Sequence, residues 1–414
     1  MTHTLAGPPF RLHDAATIGA ALRDQHYNDL AQHLTAARRR NLAYPGFTDL
    51  THRALAELMT EQLLNNVGDP YDPGHGHDHT KAYERDVIDH LADLFGASRT
   101  RWGYVTTGSS EGTDHALWDA RLAYPGQEPV VFASTAAHYS VAKACARHRL
   151  TLVHVRADPT GRMDITDLRT LLGQWRHQPV VIVATVGTTM TEAFDDVAAI
   201  ANACDDLAIV RRRIHVDAAL AALPLALLPD HDRPSFDFTS GATSIVTSGH
   251  KFLSTLTPCA VLIYAEAPVL ARTPHVPYTG TADTTIGGSR SGHTPLLLWS
   301  SLSHGLDTHR RRAERSRELA GYTHERLRAA GWPASRNPHA FTVVIAQPPP
   351  EVCARWVLAP DGTRAHIICK PDTDPAAIDE LVTDLTRPAT TVVPAPSPPE
   401  NDQAAGRTPT GVPA

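Results

Sequence analysis

The sequence predicts an α/β fold, with a mostly parallel sheet covered by helices and a smaller α+β domain after it. Between residues 102 and 251, short apolar runs rich in β-branched residues alternate with segments of helical spacing. Runs that are apolar on both faces are typical of parallel strands with helices on either side. After residue 297 the pattern becomes helical and then gives two further strands, which indicates a separate C-terminal unit.

Each element has its own local signal. At 83–96, apolar residues recur at helical spacing and a glycine ends the segment, which predicts a helix. Residues 102–121 predict a short strand, a Gly/Ser turn and a helix. Further buried strands are predicted at 129–138, 150–158, 178–189, 211–219 and 243–251, with helices at 140–149 and 194–206. The C-terminal unit has predicted helix at 297–330, strands at 341–349 and 364–372, and a final helix at 376–385.

Composition excludes several classes of protein. The 414 residues carry a net charge of only −6, with acidic and basic residues interleaved, so no surface is predicted to attract nucleic acid or an anionic membrane. No apolar run reaches the roughly 18 residues of a membrane span. The N-terminus lacks the pattern of a secretory signal, and five cysteines without a CxxC pair favour reduced thiols, so a cytoplasmic protein is expected. The proline-rich segment 387–414 is predicted to be disordered.

Polar groups follow several of the predicted strands, where open α/β sheets gather ligand groups. The turn TTGSSEG, Thr106 to Gly112, offers hydroxyls and backbone N–H groups at a helix start, which suits a phosphate or an ordinary capped turn. His138 ends one strand. Asp217 ends another, either as a functional carboxylate or as a helix cap. Lys251 follows the next strand, in the sequence SGHK.

Together these groups match the needs of pyridoxal phosphate. This cofactor requires an amine for its aldehyde, a cradle for its phosphate, a carboxylate that keeps its ring nitrogen protonated, and a flat group against its ring. Lys251, the 107–110 turn, Asp217 and His138 would supply these in turn. The sequence therefore predicts a pyridoxal phosphate site.

Longer matching segments connect these groups to a known family. They are NNVGDPY, GYVTTGSSEG, HYSVAKAC, ATVGTTMTEAFDD, IHVDAAL, FDFTSGATSIVTSGHKFL, PCAVLIY and DTTIGGSRSGHTPLLLW, in this order between Asn65 and Trp299. In these segments the chain resembles the pyridoxal-phosphate-dependent group II amino-acid decarboxylases, in the histidine decarboxylase and plant serine decarboxylase branch.

The resemblance implies a fold of type I, similar to aspartate aminotransferase, with a large seven-stranded sheet domain and a small C-terminal domain. It implies a homodimer, or a higher homo-oligomer, whose subunits share active sites. The implied division is an N-terminal segment at 1–80 that wraps the partner, a cofactor domain at 81–300, a small domain at 301–386 and the tail at 387–414. The segment from Tyr278 to Gly292 would be a mobile loop lent to the neighbouring site.

The resemblance also implies residue roles. Lys251 would bind the cofactor covalently, Asp217 would pair with its ring nitrogen, and Tyr278 or a loop histidine would return a proton to Cα. The other cofactor-binding residues would be Ser109, Ser110, Ser248 and His250 at the phosphate, Thr185 near the ring oxygen, Ala219 beneath the ring and His138 on its opposite face. The residues expected near the substrate are His75, His79, Ser289 and Ser291.

The implied reaction is decarboxylation of an L-amino acid, histidine first of all, to its amine and carbon dioxide. The segment GDPYDPGHGHDHT, residues 68–80, departs from the family pattern near the substrate, so other outcomes stay open. These are decarboxylation of serine or another small polar amino acid, a decarboxylation-dependent oxidation, and a scaffold without activity. The alternating His75, His77 and His79 suit a polar entrance loop, with a metal site as the other interpretation; no metal is assigned.

Overall fold

The fold is organised by a seven-stranded sheet, seen in a computed structural model that describes residues 19–387. Its strands are β1 (Trp102–Thr106), β2 (Val130–Ser134), β3 (Thr151–Val155), β4 (Val180–Thr185), β5 (Arg212–Asp217), β6 (Ser244–Ser248) and β7 (Ala260–Tyr264). The strand order is β1-β7-β6-β5-β4-β2-β3. β7 pairs antiparallel with both β1 and β6, and the other neighbouring strands pair parallel. The predicted α/β fold with a mixed, mostly parallel sheet is therefore confirmed.

Helices precede the sheet, cover it and connect it to the C-terminal unit. They are α1 (Ala20–Arg40), α2 (Ala56–Glu61), α3 (Lys81–Leu94), α4 (Ser109–Ala123), α5 (Ser140–His148), α6 (Ile165–Trp175), α7 (Val197–Asp206), α8 (Ala222–Ala226), α9 (His293–Leu302), α10 (Leu306–Ala329), α11 (Pro350–Arg355) and α12 (Pro375–Thr386). Within residues 19–387, none of the helices is long and apolar enough to cross a membrane.

Two sheet predictions need correction. The strand predicted to be buried at 150–158 is β3, in which Thr151 and His154 are exposed. The reason is its position: β3 pairs only with β2 and forms one edge of the sheet. The segment PCAVLIY was not predicted as a strand, yet it is β7, buried along its whole length between β1 and β6.

The C-terminal unit has a core of its own. Its sheet is antiparallel and contains β10 (Ala334–Ser335), β11 (Thr342–Ala346) and β12 (Arg364–Ile368), after a short hairpin of β8 (His275–Val276) and β9 (Thr281–Ala282). The buried Leu42 side chain also belongs to this core. Its N–H donates to the Val357 carbonyl at 3.2 Å, and its carbonyl accepts from Ile368 N at 2.6 Å. Part of the 1–80 segment thus packs on the chain's own small domain.

The proposed domain limits, and the wrapping of a partner by residues 1–80, stay predictions. The disorder predicted for 387–414 falls, apart from Arg387, outside the described residues.

A buried ion pair joins the segments around β1. Glu84 on α3 and Arg290 near α9 form a direct salt bridge, with both side chains almost fully buried. Glu84 also accepts hydrogen bonds from Val105 N and Asn66 Nδ2, each at 2.8 Å. Arg290 donates to the Gly68 carbonyl at 3.0 Å. Four stretches far apart in the sequence therefore depend on one pair of charges.

We predict that Arg290→Met lowers the free energy of unfolding by about 3–5 kcal/mol, because it leaves the Glu84 carboxylate buried without its partner. Arg310→Met is the matched control. Arg310 pairs with Asp307 on an exposed face of α10, and its loss should change the free energy by about 0.5 kcal/mol or less. Urea unfolding of both variants measures the difference. Equal stabilities would show that the buried pair does not hold these segments.

Candidate cofactor site

The site lies at the carboxyl edge of the central strands. Thr185, Asp217 and Ser248 are the last residues of the adjacent strands β4, β5 and β6. Thr185 is directly opposite Asp217 in the register of β4 and β5. Just beyond β5, Ser248 N donates to the Ala219 carbonyl at 3.0 Å. Parallel pairing thus places a hydroxyl, a carboxylate and a second hydroxyl side by side.

An anion cradle lies beside this edge, at the start of α4. Ser109 is the first residue of that helix, and its Oγ is 2.8 Å from Ser248 Oγ. No side chain caps the helix at Gly108, and among residues 19–387 the backbone N–H groups of Ser109 and Ser110 have no acceptor. Free N–H groups, hydroxyls and the helix dipole suit a phosphate.

Glu111 fixes the turn that leads into this cradle. Its carboxylate accepts from Thr107 N at 2.9 Å and from Thr107 Oγ1 at 2.5 Å. It also accepts from the Tyr104 hydroxyl at 2.9 Å. The turn is therefore held by the Glu111 side chain, one helical turn further on. Among the described residues, the backbone N–H groups of Ser109 and Ser110 stay free.

Lys251 follows a tight turn after β6. Gly249 N donates to the Cys259 carbonyl at 2.8 Å, and the His250 ring lies 3.2 Å from the same oxygen. Within residues 19–387 the Lys251 ammonium has no hydrogen-bond partner. Burial lowers the pKa of Lys251, whereas Asp217 and then Glu192 act to raise it. A lysine of this kind carries a larger fraction of neutral, nucleophilic amine than an exposed one.

Asp217 and His138 complete the charged group. Asp217 is only 5% exposed and accepts one backbone hydrogen bond, from Ala219 N at 3.2 Å. Burial raises the pKa of Asp217, and Lys251 and His138 oppose that rise. Burial also lowers the pKa of the half-buried His138, which is hydrogen-bonded to Ser140 Oγ at 2.8 Å. A further cation beside Asp217 would favour its ionised form.

An unpaired hydroxyl supports the fit of a polar ligand here. Thr185 Oγ1 is buried and has no hydrogen-bond partner. Its backbone is clamped, since Thr185 N donates to Asp195 Oδ2 at 2.8 Å and Asp195 N donates back to the Thr185 carbonyl at 3.1 Å. Buried polar groups without partners are rare. The set of an amine, a carboxylate, this hydroxyl and an anion cradle fits pyridoxal phosphate.

The residues predicted to be near the substrate form a second group. His75 N donates to the Thr279 carbonyl at 2.9 Å, and Asn65 Nδ2 donates to Ser289 Oγ at 3.2 Å. His75, His79 and Tyr278 line a cavity of about 220 Å³. Tyr278 itself is 84% exposed.

This second group also includes Ser291, which forms an isolated bridge with Asn65. In residues 19–387, no hydrogen bond or ion pair links it to the Lys251 group. Among the predicted cofactor-site residues, strand register and hydrogen bonds connect Thr185, Asp217, Ala219, Ser248 and Ser109, and Lys251 and His138 act electrostatically on Asp217.

Two residues of the segment expected to be a mobile loop make buried contacts, and its mobility stays a prediction. Thr284 Oγ1 donates to Asp69 Oδ2 at 3.1 Å, and the Thr284 carbonyl lies 2.9 Å from His115 Nε2. Arg290 fixes its far end through Glu84. In the described part of the chain, no three side chains of the metal-ligating types form a metal-binding cluster.

Three acidic residues of the site region were missed by the sequence interpretation: Glu111, Asp195 and Glu192. Asp195 and Glu192 lie in TMTEAFDD, a loop rich in hydroxyl and apolar residues, and both are 1% exposed. The sequence signal for their burial was that Glu192 and Asp195 flank an apolar pair, Ala193 and Phe194. The same residue types are also common in exposed loops.

Comparison with known proteins agrees with this geometry. Residues 84–332 match the family model described as the pyridoxal-dependent decarboxylase conserved domain. A histidine decarboxylase from Mesorhizobium japonicum is 36% identical over 343 residues, which are 82% of this chain and 91% of the relative. One from Pseudomonas entomophila is 34% identical over 83% of this chain and 86% of its own. The solved L-methionine decarboxylase from Streptomyces sp. 590 superposes with a TM-score of 0.81 at 26% identity, over 92% of this chain and 98% of that one.

The fold and the site define an enzyme of fold type I that works with pyridoxal phosphate. The chain belongs to the pyridoxal-dependent decarboxylase family. It is an amino-acid decarboxylase, and its cofactor is pyridoxal phosphate. The resemblance drawn from the sequence motifs is thereby confirmed.

We predict that Gly249→Ala destabilises the protein by about 1–3 kcal/mol and weakens cofactor binding, because an added Cβ would lie 2.5 Å from Cys259 Sγ and 2.9 Å from a Leu298 methyl. Gly173→Ala is the control. Nothing lies within 4 Å of a Cβ at Gly173 on α6, so that change should stabilise the protein by up to about 1 kcal/mol. Thermal unfolding and cofactor titration of both variants test the pair. If Gly249→Ala had the unfolding temperature and cofactor affinity of the wild type, the turn before Lys251 would have space for an added Cβ.

Proposed function

We propose that this chain decarboxylates L-histidine to histamine and carbon dioxide, as a homodimer of the cytoplasm, with Lys251 as its cofactor-binding lysine. The observation that carries the substrate assignment is the likeness to histidine decarboxylases along almost their whole length, at 36% identity for the relative from Mesorhizobium japonicum. The methionine decarboxylase, at 26% identity, is more distant in sequence.

Each residue of the site has a proposed task in holding the cofactor. The hydroxyls of Ser109, Ser110 and Ser248 and the His250 ring bind its phosphate. Asp217 holds a proton at the ring nitrogen, and Thr185 Oγ1 pairs with the ring oxygen. His138 and Ala219 cover the two faces of the ring. Among the described residues, Thr185 Oγ1 is free for its task because it has no partner, whereas the Ser109 and Ser248 hydroxyls pair with each other and can turn to a phosphate.

When bound, pyridoxal phosphate supplies an aldehyde that takes up the substrate amine and a ring that accepts the electron pair released as carbon dioxide leaves. Lys251 holds the cofactor between turnovers and yields to the substrate amine, for which a pKa lowered by burial is suited. Asp217 keeps the ring cationic, and a cation beside it lowers the pKa that burial raises.

The remaining steps belong to the second group of residues. Tyr278 returns a proton to Cα, and His75, His79, Ser289 and Ser291 contact the substrate. Because Tyr278 is 84% exposed in one chain, we propose that it acts in the site of the partner subunit.

The proposed homodimer has support from the N-terminal helix. The 21 residues of α1 include no buried residue, and its apolar side chains Leu22, Tyr27 and Leu34 are all more than half exposed. Average helices gain their stability from a packed apolar face. A partner subunit would provide the surface that α1 lacks within its own chain.

The substrate assignment is tested by carbon dioxide release from a panel of L-histidine, L-methionine and L-serine with the cofactor-loaded enzyme, and with peroxide measured alongside. The expected result is the highest kcat/KM for histidine and no peroxide. A preference for methionine or serine would refute the histidine assignment and leave the decarboxylase class intact. Peroxide formed with the carbon dioxide would instead support an oxidative outcome.

We predict that Lys251→Ala abolishes turnover and the borohydride-reducible chromophore, with a loss of roughly 10³-fold or more in kcat. Conversion of each substrate is followed by mass spectrometry, and reduction by absorbance. Decarboxylation by Lys251→Ala with a reducible chromophore still present would remove Lys251 from its proposed place.

We predict that Asp217→Asn lowers kcat by about 10²–10³-fold, since a neutral amide cannot hold the proton on the ring nitrogen. Asp164→Asn is its matched control. Asp164 caps α6 by accepting from Thr166 N and Asp167 N, and asparagine caps as well, so its activity should stay unchanged. Steady-state kinetics of both variants decide the point. If Asp217→Asn were as active as Asp164→Asn, Asp217 would serve only the turn that it forms with Ala219 N.

A further inference from the structure

Glu192 occupies an unusual position in the loop between β4 and α7. Its side chain is only 1% exposed, and its backbone has φ +49°, a left-handed conformation that L-residues rarely adopt. Both features cost free energy: the first through desolvation of a carboxylate, the second through backbone strain. The cofactor-site roles proposed above do not use this residue, so its costs require another explanation.

The contacts of Glu192 cross from the large domain to the small one. Its Oε2 accepts from Phe341 N at 3.0 Å, from Thr342 N at 2.9 Å and from Thr342 Oγ1 at 2.6 Å. Thr342 is the first residue of β11. Three donors on one carboxylate oxygen fasten the start of this strand to the loop that follows Thr185.

The loop is held on both sides of Glu192. Glu192 N donates to the Thr188 carbonyl at 2.8 Å, while Asp195 clamps Thr185 at the cofactor edge. On the other side of the contact, Phe341 stacks against Phe252, the residue after Lys251, with ring centroids 6.0 Å apart. The start of β11 is thus coupled to the neighbours of both Thr185 and Lys251.

Several charges act around Glu192. The ionisable groups that face it or its immediate neighbours are, by element, Lys251 after β6, Arg317 on α10, Cys369 after β12, and Arg336 and His339 before β11. Burial raises the pKa of Glu192 to about 7, against the effects of its hydrogen bonds and of Arg317. In turn, the Glu192 carboxylate acts to raise the pKa of Lys251.

We propose that Glu192 is a positioning residue, whose carboxylate fastens the small domain to the cofactor edge and whose negative charge acts on the Lys251 amine. The second half of this inference depends on the proposed function, in that Lys251 is taken as the cofactor-binding lysine. The first half, the bond to β11, stands independently of substrate and reaction.

Two substitutions separate the two halves. Glu192→Gln keeps an oxygen that accepts from Phe341 N and Thr342 N but removes the charge. Glu192→Gly removes the acceptor and suits φ +49°, because glycine adopts this conformation without strain. Asp119→Asn is the control for loss of a buried carboxylate: Asp119 on α4 is fully buried, accepts from Leu270 N at 3.2 Å and pairs with Arg213.

The first readout is hydrogen–deuterium exchange of the peptide that contains residues 341 and 342, in the protein with and without cofactor. Glu192→Gly should exchange faster by about tenfold, because two backbone donors lose their acceptor. Glu192→Gln and Asp119→Asn should stay near the wild type. Unchanged exchange in Glu192→Gly would refute the bond to β11, whatever the substrate of the enzyme proves to be.

The second readout is the pH titration of the visible absorption of the cofactor-loaded enzyme without substrate. Glu192→Gln should move its midpoint to lower pH, by about one unit or less, because a negative charge that favours the cationic form is gone. Asp119→Asn should leave the midpoint in place. A Glu192→Gln midpoint equal to that of the wild type would reduce Glu192 to a structural role.

Stability against pH gives a third readout that needs no activity. The pKa of Glu192 is raised in the folded state, so the folded state binds its proton more tightly than the unfolded one does. Its contribution to stability is therefore fully present in acid, below the unfolded pKa, and is lost as the pH rises through about 7.

From about pH 5 to about pH 8, the unfolding temperature should accordingly fall more for the wild type than for Glu192→Gln. Equal falls in the two proteins would show that Glu192 does not titrate in this range and would overturn this part of the inference.

Discussion

The structure depends on the burial of one positive and one negative group at the carboxyl ends of neighbouring parallel strands. Lys251 and Asp217 both lose hydration there, and burial moves the two pKa values toward each other, lowering that of the amine and raising that of the carboxyl. Burying these two groups costs free energy. A ligand that carries a phosphate and a protonated ring matches them well and would offset that cost. The surrounding fold has to hold these groups in place against that cost.

That support comes from hydrogen bonds one layer further out. Asp195 accepts from the backbone of Thr185, and Glu111 accepts from the turn before Ser109. The Cys259 carbonyl accepts from Gly249 N, in the turn before Lys251. Each of these contacts ties a strand end to a loop or helix that comes later in the chain. Among the described residues, this pattern explains how the Thr185 hydroxyl and the N–H groups of Ser109 and Ser110 can remain unpaired, since the backbone beside them is already held by other partners.

The strand ends of the sheet could be predicted from the sequence better than the contacts around them. Lys251 and Asp217 were expected at one edge because each follows an apolar run and the carboxyl ends of parallel strands converge. The exposure of β3 could not be predicted, since Leu152 and Val153 look like the residues of a central strand, and only the strand order makes β3 an edge. Glu84 and Arg290 are 206 residues apart and carry no local pattern, so their pairing emerges only from the folded chain.

The contact of Leu42 with the small domain has a consequence for the order of events during synthesis. Leu42 leaves the ribosome more than 300 residues before its backbone partners, Val357 and Ile368. The chain must therefore keep this apolar segment unpaired while the whole large sheet is being translated. Protein domains generally fold as units during synthesis. In this protein the core that contains Leu42 can close only after Ile368 has been made, so this core is completed after the large sheet has been translated.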